Sequence, residues 1–390
     1  MNSSYDIIII GGGMVGMAFV LSLPSALQAK TLLIDTAEQP DNASPSPSFD
    51  DRGTALSQTS LTLLDRLGVR SALEPHLGYM THIEVSQQGY WGITHLQQDD
   101  PFGAVINNRQ LGYALWQQAR QSAVHWRFAT GVTALSPTAD FTTVHCTDQQ
   151  AYRAKLVILA DGGRSGLARQ MGIGEFRHAY GQSAIVFNID REQPVNGRAY
   201  ERFAADGPRA LLPLSGRRQT VVWTVDTPQL NEWLNEDDTS WRHTITDCFG
   251  SDQGAVSAVS ARQHYPLQWR RSHETVRHRL ALIGNSALSL HPVAGQGFNL
   301  HLRGLTALAS HLAQAFNDDQ DVGQLPHLRA WQAQIRADQR LIEAACHGLV
   351  SAFALHHPMI AHARGLALAG LDSLPALKSF IARTAIGSPT

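Results

Sequence analysis

The segment YDIIIIGGGMVGMAFVLSLPSALQAKTLLID, residues Tyr5–Asp35, decides the fold of this chain. Its β-branched run Ile7–Ile10 predicts a strand that is buried on both faces, and the apolar stretch from about Met14 to Leu27 predicts a helix. A G-x-G-x-x-G motif joins the two, and its glycines are Gly11, Gly13 and Gly16. The first permits a tight turn, the second lets the backbone approach a pyrophosphate, and the third lets the helix pack on the strand.

A second strand, Thr31–Ile34, follows the helix and ends at Asp35, roughly 20 residues beyond the glycines. A carboxylate at that place accepts hydrogen bonds from a ribose diol, and the N-terminal amides of the preceding helix face phosphate. A glycine-rich turn without a ligand is the alternative, but it does not require strand, helix, strand and acid in this order. The segment therefore predicts an adenine dinucleotide cofactor.

Residues 7–29 carry no charged side chain and are long enough to suggest a membrane span. The glycines, Pro24 and several polar side chains argue against a span, and Asp6, without a nearby Lys or Arg, argues against a signal peptide. The chain of 390 residues is 43% apolar and 16% charged, which favours a soluble globular protein of two domains. Its formal net charge of -2 gives no indication of a nucleic-acid partner.

The sequence predicts neither a disulfide framework nor a metal site. The cysteines lie far apart and form no C-x-x-C motif, at Cys146, Cys248 and Cys346. The histidines near the C-terminus lack accompanying thiols or carboxylates, so core or surface positions are favoured over metal ligation. These are His347, His356, His357 and His362. The expected compartment is the reducing cytoplasm.

Two later segments have the pattern of strands that return to a dinucleotide-binding sheet. LVILADGGRS, residues 156–165, is an apolar strand that ends in an acid, two glycines and a capping serine. LALIGN, residues 280–285, is a second short apolar strand of this kind. Earlier in the chain, Arg52 lies between a loop rich in Pro and Ser (residues 37–49) and a predicted helix. Such an arginine can reach a pyrophosphate, although an ordinary surface arginine is the alternative.

A glycine-rich loop opens the longest predicted helix. His291-Pro292 and Gly295-Gln296-Gly297 predict a non-helical loop, and the helix begins near Gln296. The free backbone amides and the positive dipole end at such a helix start can stabilise negative charge.

Alternating apolar and polar residues predict strands in three regions, residues 79–95, 122–150 and 183–226. The last of these has no helical period and predicts a second sheet, inserted between pieces of the nucleotide-binding domain. The predicted division is nucleotide-binding domain 1–75, 106–178 and 273–325, second-domain strands 76–105 and 179–272, and C-terminal helices 326–390.

Four segments stand in order along the chain: GGGMVG (11–16), FDDRGTALS (49–57), LADGGRS (159–165) and GNSALSLHPVAGQGFNLHLRG (284–304). In this order they resemble the FAD-dependent aromatic hydroxylases of the para-hydroxybenzoate hydroxylase fold, and within them the hydroxylases of ubiquinone biosynthesis. YERFAADGPRALLPL (200–214) and Asn285 are similar to the hydroxylases of the 2-polyprenyl-6-methoxyphenol step. The resemblance implies an α/β fold: an FAD-binding Rossmann-type domain, an inserted mostly antiparallel β-sheet substrate domain and a helical C-terminus.

The resemblance also implies which residues contact the cofactor. The ADP half of FAD would be held by Gly11, Gly13, Gly16 and Asp35. Arg52 would contact the FAD phosphate or ribose region, and Asp161 and Gly162 would touch both FAD and the nicotinamide donor. The flavin ring would be bordered by Pro292, Gly295, Gly297 and Asn299.

This chain departs from the family pattern at three positions of the last segment. Asn285 replaces the usual aspartate of the FAD ribitol region, and an amide accepts one hydrogen bond there but carries no charge. His301 and Gly304 stand where relatives commonly have Gly and Asp.

The reaction that the resemblance implies is hydroxylation of a polyprenylated phenol. NADH or NADPH reduces FAD, O2 adds to the flavin as a hydroperoxide, and one oxygen is transferred to the phenol ring. His291, beside Pro292, is a candidate for proton transfer, and a structural histidine bonded to backbone is the alternative. The substrate cavity would be lined by Tyr180, Tyr200 and Arg202, and an apolar channel for the tail by Val186, Leu212, Leu214 and Trp223.

Three alternatives stay open at this point. The chain hydroxylates another ring position of the same pathway, it is a flavin-dependent isoprenoid reductase, or it is a non-catalytic flavoprotein scaffold. Because the substrate is a lipid, we also expect assembly with other ubiquinone-biosynthesis proteins and weak peripheral association of a cytoplasmic protein with the inner membrane.

Overall fold

The computed structural model describes residues 4–40, 50–90, 92–291 and 295–354. In chain order its strands are β1 (Ser4–Ile10), β2 (Thr31–Ile34), β3 (Gly53–Ser57), β4 (Gly78–Met80), β5 (His82–Gln87), β6 (Ile93–Gln97), β7 (Gly103–Asn107), β8 (His125–Arg127), β9 (Val132–Pro137), β10 (Thr142–Cys146), β11 (Ala151–Leu159), β12 (Glu175–Arg191), β13 (Arg198–Ala204), β14 (Gly207–Pro213), β15 (Arg218–Asp226), β16 (Val256–Val259), β17 (Gln263–Ser272), β18 (Val276–Arg277), β19 (Leu280–Leu282) and β20 (Leu288–Ser289). Its α-helices are α1 (Met14–Ser22), α2 (Ser25–Gln28), α3 (Gln58–Arg66), α4 (Arg70–Leu73), α5 (Asn108–Ala119), α6 (Leu167–Gln170), α7 (Leu230–Asn235), α8 (Asp238–Phe249), α9 (Gln296–Asn317) and α10 (Leu325–Ala354).

The first sheet has the strand order β18-β19-β11-β1-β2-β8, and β10 and β9 extend it from β11. β1 pairs in parallel with both β2 and β11, and β11 pairs in parallel with β19. Ile7 and Ile9 pack into one apolar cluster and Ile8 and Ile10 into another, so both faces of β1 are buried. This is the doubly covered parallel sheet that the isoleucine run predicts, and the predicted Rossmann-type domain is confirmed.

The helix after the glycine-rich loop is shorter than the sequence predicts. α1 ends at Ser22 and a separate short helix, α2, begins at Ser25, because Pro24 interrupts them. Leu23 is extended, with φ -80° and ψ 143°, since the proline ring disfavours helical backbone in the residue before it.

The second sheet has the order β20-β17-β12-β15-β14-β13-β5-β6, with β16 paired to β12. Its neighbours are antiparallel except for the parallel pair β13 and β5. The predicted mostly antiparallel sheet is therefore confirmed. One strand, β12, crosses the predicted boundary at residue 178, because it runs without a break from Glu175 to Arg191.

A third, small sheet of the order β3-β7-β4 lies between the two larger ones. α9 and α10 follow at the C-terminal end, and Arg303 of α9 forms an ion pair with Asp338 of α10. The predicted C-terminal helices are thus present as far as Ala354, and the part of that prediction that falls on 355–390 lies outside the described residues. None of the helices in the described ranges has both the length and the hydropathy needed to cross a membrane.

Candidate cofactor and substrate site

The glycine-rich turn leaves room for nothing larger than hydrogen at two of its positions. Gly11 has φ +112°, and a Cβ there would lie 2.5 Å from the Ala160 carbonyl oxygen of the neighbouring strand end. A Cβ on Gly16 would lie 2.0 Å from the Gly11 carbonyl oxygen. α1 begins after Gly13, which has no side-chain hydrogen bond to the helix start. The first-turn amides of α1 are therefore available to an anion.

Asp35 lies where β2 ends, next to this turn. Its carboxylate accepts hydrogen bonds from the Gly12 and Ala37 backbone amides, the latter at 2.6 Å. These bonds fix the side chain against the glycine-rich turn, so Gly11, Gly16 and Asp35 form one cradle at the C-terminal ends of β1 and β2. Ligands of open α/β sheets bind at such an edge.

Asp161 stabilises the turn that follows β11. It accepts hydrogen bonds from the Gly163 amide at 2.9 Å, from the amide and hydroxyl of Ser165, and from the Ser286 hydroxyl at 2.7 Å. Burial acts to raise the pKa of the carboxyl, but the hydrogen bonds outweigh it and the pKa lies below its ordinary value. Asp161 is therefore ionised at neutral pH and joins the turn after β11 to the turn after β19.

Asn285 and His301, two of the three positions at which this chain departs from the family pattern, contact each other. His301 Nε2 lies 3.3 Å from Asn285 Oδ1. Burial, the largest cause, lowers the pKa of His301 to about 4, so the imidazole is neutral at physiological pH. A neutral ring presents one donor and one acceptor, which suits an amide partner. The sequence shows both changes, but only the fold brings Asn285 and His301 together.

Arg270 of β17 is a residue of this site that sequence reasoning missed. Its Nη2 donates to the carbonyl oxygens of Gly162 at 2.7 Å and of Asn285 at 3.0 Å. A Cβ on Gly163 would lie 2.9 Å from this nitrogen, so the guanidinium lies directly against the turn. The side chain thus links the second sheet to both predicted cofactor turns. No local motif marks it, since QWRRS reads as an ordinary strand end.

Replacing Arg270 by Gln should loosen both turns. Two charge-assisted hydrogen bonds are lost, and a bond to a charged group contributes about 1.5–3 kcal/mol. We expect FAD affinity to fall about 10-fold, measured by quenching of flavin fluorescence. The matched control is Arg218→Gln, which removes an exposed ion pair of 3.5 Å with Asp190 and should leave FAD affinity unchanged. Equal affinities of the two variants would contradict the role of Arg270.

The loop before α9 is tied to β3 by Asn299. This buried side chain accepts a hydrogen bond from the Ser57 amide and donates to the carbonyl oxygens of Ala55 and Gly295, each at 2.9 Å. Because its polar atoms are used in this way, the side chain of Asn299 positions the loop. Gly295 has φ +59° and provides no side-chain cap to the helix that begins at Gln296. Among the described residues, nothing lies within 4 Å of where a Cβ on Gly297 would stand.

His291 lies beside this loop and is almost completely buried. Burial lowers its pKa to about 4, so the ring is neutral at physiological pH. The Tyr180 ring packs against it edge to face, with centroids 5.0 Å apart, and Tyr180 Oη is 3.2 Å from His347 Nδ1. The structure therefore brings the predicted residues Tyr180 and His291 together. Pro292 lies outside the described residues.

Arg52 does not extend freely toward the glycine-rich turn. Its guanidinium forms an ion pair of 2.6 Å with Asp50 and lies over the Tyr265 ring, 4.2 Å from the centroid. Its predicted contact with the cofactor stays a prediction.

Three predicted substrate residues point to the far face of the second sheet. Tyr200 and Trp223 belong to the apolar cluster around α8, and Arg202 donates to the carbonyl oxygen of Cys248 in that helix. The structure thus does not bring them to the cofactor loops. Leu212 lies on the opposite face, in a cluster with Ala55 of β3. Strand alternation separates the two sets.

The described residues of the glycine-rich turn and of the two helix starts fit a dinucleotide cofactor. Two helices, α1 and α9, begin at glycines without side-chain caps. A helix start of this kind stabilises phosphate or the negative charge of a reduced ring. The inner face of the second sheet, which carries Leu212, is apolar there, and its predicted contact with a ring substrate stays a prediction.

Comparison with known proteins gives a consistent result along the whole chain. The family model described as FAD binding domain matches residues 4–327. The chain is 32% identical to the ubiquinone hydroxylase UbiL of Rhodospirillum rubrum over 387 residues, covering 98% of this chain and 90% of the relative. It is 29% identical to the 3-demethoxyubiquinol 3-hydroxylase of Escherichia coli over 394 residues, 99% of both chains. These matches confirm the family that the four segments predict.

The fold is also shared with solved structures of low sequence identity. The p-nitrophenol 4-monooxygenase PnpA from Pseudomonas putida DLL-E4 aligns over 100% of both chains with a TM-score of 0.77 and 15% identity. PqsL of Pseudomonas aeruginosa, in complex with 2-aminobenzoylacetate, aligns over 95% of this chain and 100% of its own, with a TM-score of 0.78 and 18% identity. At these identities the likeness concerns the fold.

Proposed function

Because this chain belongs to the FAD-binding-domain family and is an FAD-dependent aromatic monooxygenase, we propose that it hydroxylates the ring of a polyprenylated phenol in ubiquinone biosynthesis. The observation that carries the proposal is the similarity to named ubiquinone hydroxylases from end to end of the chain, second sheet included. The second sheet of this chain is thus related to the corresponding part of those hydroxylases, just as the cofactor domain is.

Separate groups of residues would bind the cofactor and orient the substrate. The first-turn amides of α1 and the cradle of Gly11, Gly16 and Asp35 hold the ADP half of FAD. The amides at the start of α9 stabilise negative charge on the ring. When bound, FAD supplies the activation of O2 with electrons from NADH or NADPH. The second sheet orients the phenol and keeps water away from the reacting atoms.

The inner face of the second sheet is suited to the start of a prenyl tail. Leu212 and Ile83 lie in one apolar cluster there, and Val186 and Val222 lie in another. Trp223 does not contribute, because it packs toward α8. We propose that the tail leaves along this face, and that the protein associates weakly with the inner membrane or with other enzymes of the pathway to collect its lipid substrate.

For the ring position, we propose the 2-polyprenyl-6-methoxyphenol step, on the support of the segment 200–214 and of Asn285. The name of the Escherichia coli relative refers to another ring position of the same kind of substrate. The two assignments differ in the intermediate on which the enzyme acts.

The mass of the lipid that accumulates when this protein is removed from its host tests the proposal. We expect a polyprenyl-methoxyphenol, which disappears when the protein is supplied again. Accumulation of an earlier polyprenylphenol or of a demethoxyquinol would keep the pathway and change the ring position. An unchanged quinone pool would contradict the proposal.

Oxygen uptake by the purified FAD-loaded protein provides the second test. With NADPH or NADH and a short-tailed 2-prenyl-6-methoxyphenol, we expect uptake of O2 to match the hydroxylated phenol formed. Oxidation of the nicotinamide with saturation of the tail and no O2 uptake would instead show a reductase.

A further inference from the structure

An acid stands in the middle of the second sheet, on the face that meets the cofactor domain. Glu201 lies in β13, where Val85 of β5 and Ala210 of β14 are its paired residues. Its chain neighbours Tyr200 and Arg202 point toward α8. Because side chains alternate along a strand, Glu201 points the other way, toward the FAD-binding domain.

The rows of side chains on either side of Glu201 are packed against that domain. On one side, Thr220 Cγ2 would be 2.4 Å from a Cβ on Gly53 of β3, and Leu212 belongs to the same apolar cluster as Ala55 of that strand. On the other side, Phe203 packs with residues of β20 and α9. Phe203 and Thr220 are almost fully buried as a result, at 2% and 0% exposure.

The row that contains Glu201 runs between these two contacts. Its members across the sheet are Val85, Glu201, Ala210, Val222 and Val186. Val85, Glu201 and Val222 each keep part of their accessible surface, whereas Phe203 and Thr220 in the neighbouring rows are buried. The contacts on both sides place this row on the face of the second sheet that meets β3 and α9.

Within the described residues, no hydrogen bond or ion pair is formed by the Glu201 carboxyl, and the other members of its row are apolar. Burial alone raises the pKa of Glu201 to about 8. Glu201 is only partly exposed, and a carboxyl that loses much of its hydration without gaining a partner is destabilised; such groups concentrate where a ligand supplies the partner.

We propose that Glu201 binds the hydroxyl group of the aromatic substrate and accepts its proton during ring hydroxylation. This inference rests on the proposed function and assigns a catalytic residue for it. The phenol O–H bond breaks, its electron pair stays on the phenolate oxygen, and the ring becomes a stronger nucleophile. After the hydroxyl group has been added, the substituted ring carbon releases its proton to solvent as aromaticity returns, the C–H electron pair restores the ring and the negative charge on the original oxygen, and Glu201 gives its own proton back to that oxygen.

Four titratable side chains on elements packed against this face have pKa values shifted away from neutral pH. Burial lowers the pKa of His291 to about 4 and raises that of Cys346 to about 11. Burial also raises the pKa of Tyr180 and of Tyr265 above the ordinary tyrosine value. Among these groups, Glu201 is the one that ionises between pH 7 and 9. A base with a pKa in this range is well matched to its task.

Glu201→Gln tests the proposal, because it keeps the shape and removes the base. We expect kcat with the prenylated methoxyphenol to fall about 100-fold, which is typical for loss of a general base, with little change in KM. The unaltered enzyme should show kcat rising with pH through about 8, and the variant should lose that rise. The matched control is Glu84→Gln in the neighbouring strand, whose carboxylate is 4.0 Å from Arg202 on the other face. It should retain the parent's kcat and pH profile.

A spectroscopic readout tests the same assignment without turnover. In FAD-loaded protein without a nicotinamide donor, infrared difference spectra should show a protonated carboxyl band that titrates near pH 8 and shifts when 2-methoxyphenol is added. The band should be missing in Glu201→Gln. If that variant does not fold, Glu201→Asp should keep the pH rise at a lower kcat.

The outcomes separate the inference from the proposed function. If the parent hydroxylates the phenol and Glu201→Gln matches Glu84→Gln in kcat and pH profile, the role of Glu201 is overturned. If the parent hydroxylates no phenol, the proposed function fails. An infrared band that does not respond to 2-methoxyphenol would then overturn the binding role of Glu201 as well.

Discussion

Replacing Gly16 by Ala should remove most of the FAD affinity and about 3 kcal/mol of stability, the upper part of the range for overpacking. The added Cβ would lie 2.0 Å from the Gly11 carbonyl oxygen, so α1 must move away from the end of β1 by about 1 Å. Gly11 cannot yield instead, because Ala160 lies directly behind it. A misplacement of that size at a binding site costs about 100-fold.

Gly304→Ala in α9 is the matched control, since both substitutions add one methyl group to a helical glycine. Its Cβ would meet only Ile335, at 3.9 Å, and alanine favours the helix by about 1 kcal/mol. In urea unfolding, the control should therefore be slightly more stable than the parent. In flavin fluorescence titrations, it should bind FAD as tightly as the parent does. A Gly16→Ala protein with the parent's affinity would contradict the packing role assigned to this glycine.

The glycine-rich turn could be predicted because its requirements are local. A position with φ +112°, as at Gly11, or a helix in contact with a strand, as at Gly16, demands glycine whatever the rest of the chain does. The end of α1 was predicted less well, because an apolar pattern continues through Pro24 to Leu27 while the backbone does not.

The substrate face could not be predicted from the strand pattern alone. β13 has apolar residues on both sides, and alternation shows that Tyr200 and Glu201 point in opposite directions without showing which face meets the FAD-binding domain. The aromatic residues of this sheet were natural candidates for a ring-binding wall, but Trp223 and Tyr200 serve the core with α8. Glu201, the residue that follows Tyr200, points toward the FAD-binding domain.

Long-range partners were beyond sequence reasoning for a similar reason. Arg270 is 108 positions from Gly162 along the chain, and the contact depends on how the second sheet is placed against the first. Asn285 and His301 were each recognised as unusual, yet their contact follows from the approach of α9 to the turn after β19. Contacts of this kind can be identified only when the three-dimensional structure is known.

His291 and His301, which are both buried, should make the protein lose stability in mild acid. Burial lowers the pKa of both His291 and His301 to about 4, whereas an unfolded histidine titrates near 6.5. The folded state therefore binds fewer protons than the unfolded state between these values, and stability falls as pH falls from about 6.5 toward 4. At pH 5 the loss is about 2 kcal/mol for each histidine relative to pH 7.

Urea unfolding of the FAD-saturated protein at pH 7 and pH 5 measures this loss. Because carboxyl groups also contribute to the acid response, the informative quantity is the difference between variants. His301→Gln cannot take up the proton, so its loss between the two pH values should be smaller than the parent's by about 2 kcal/mol. His95→Gln, at an exposed position of β6 that water reaches before and after unfolding, should lose as much as the parent. Equal losses for all three proteins would mean that the imidazole of His301 is not kept neutral by its surroundings.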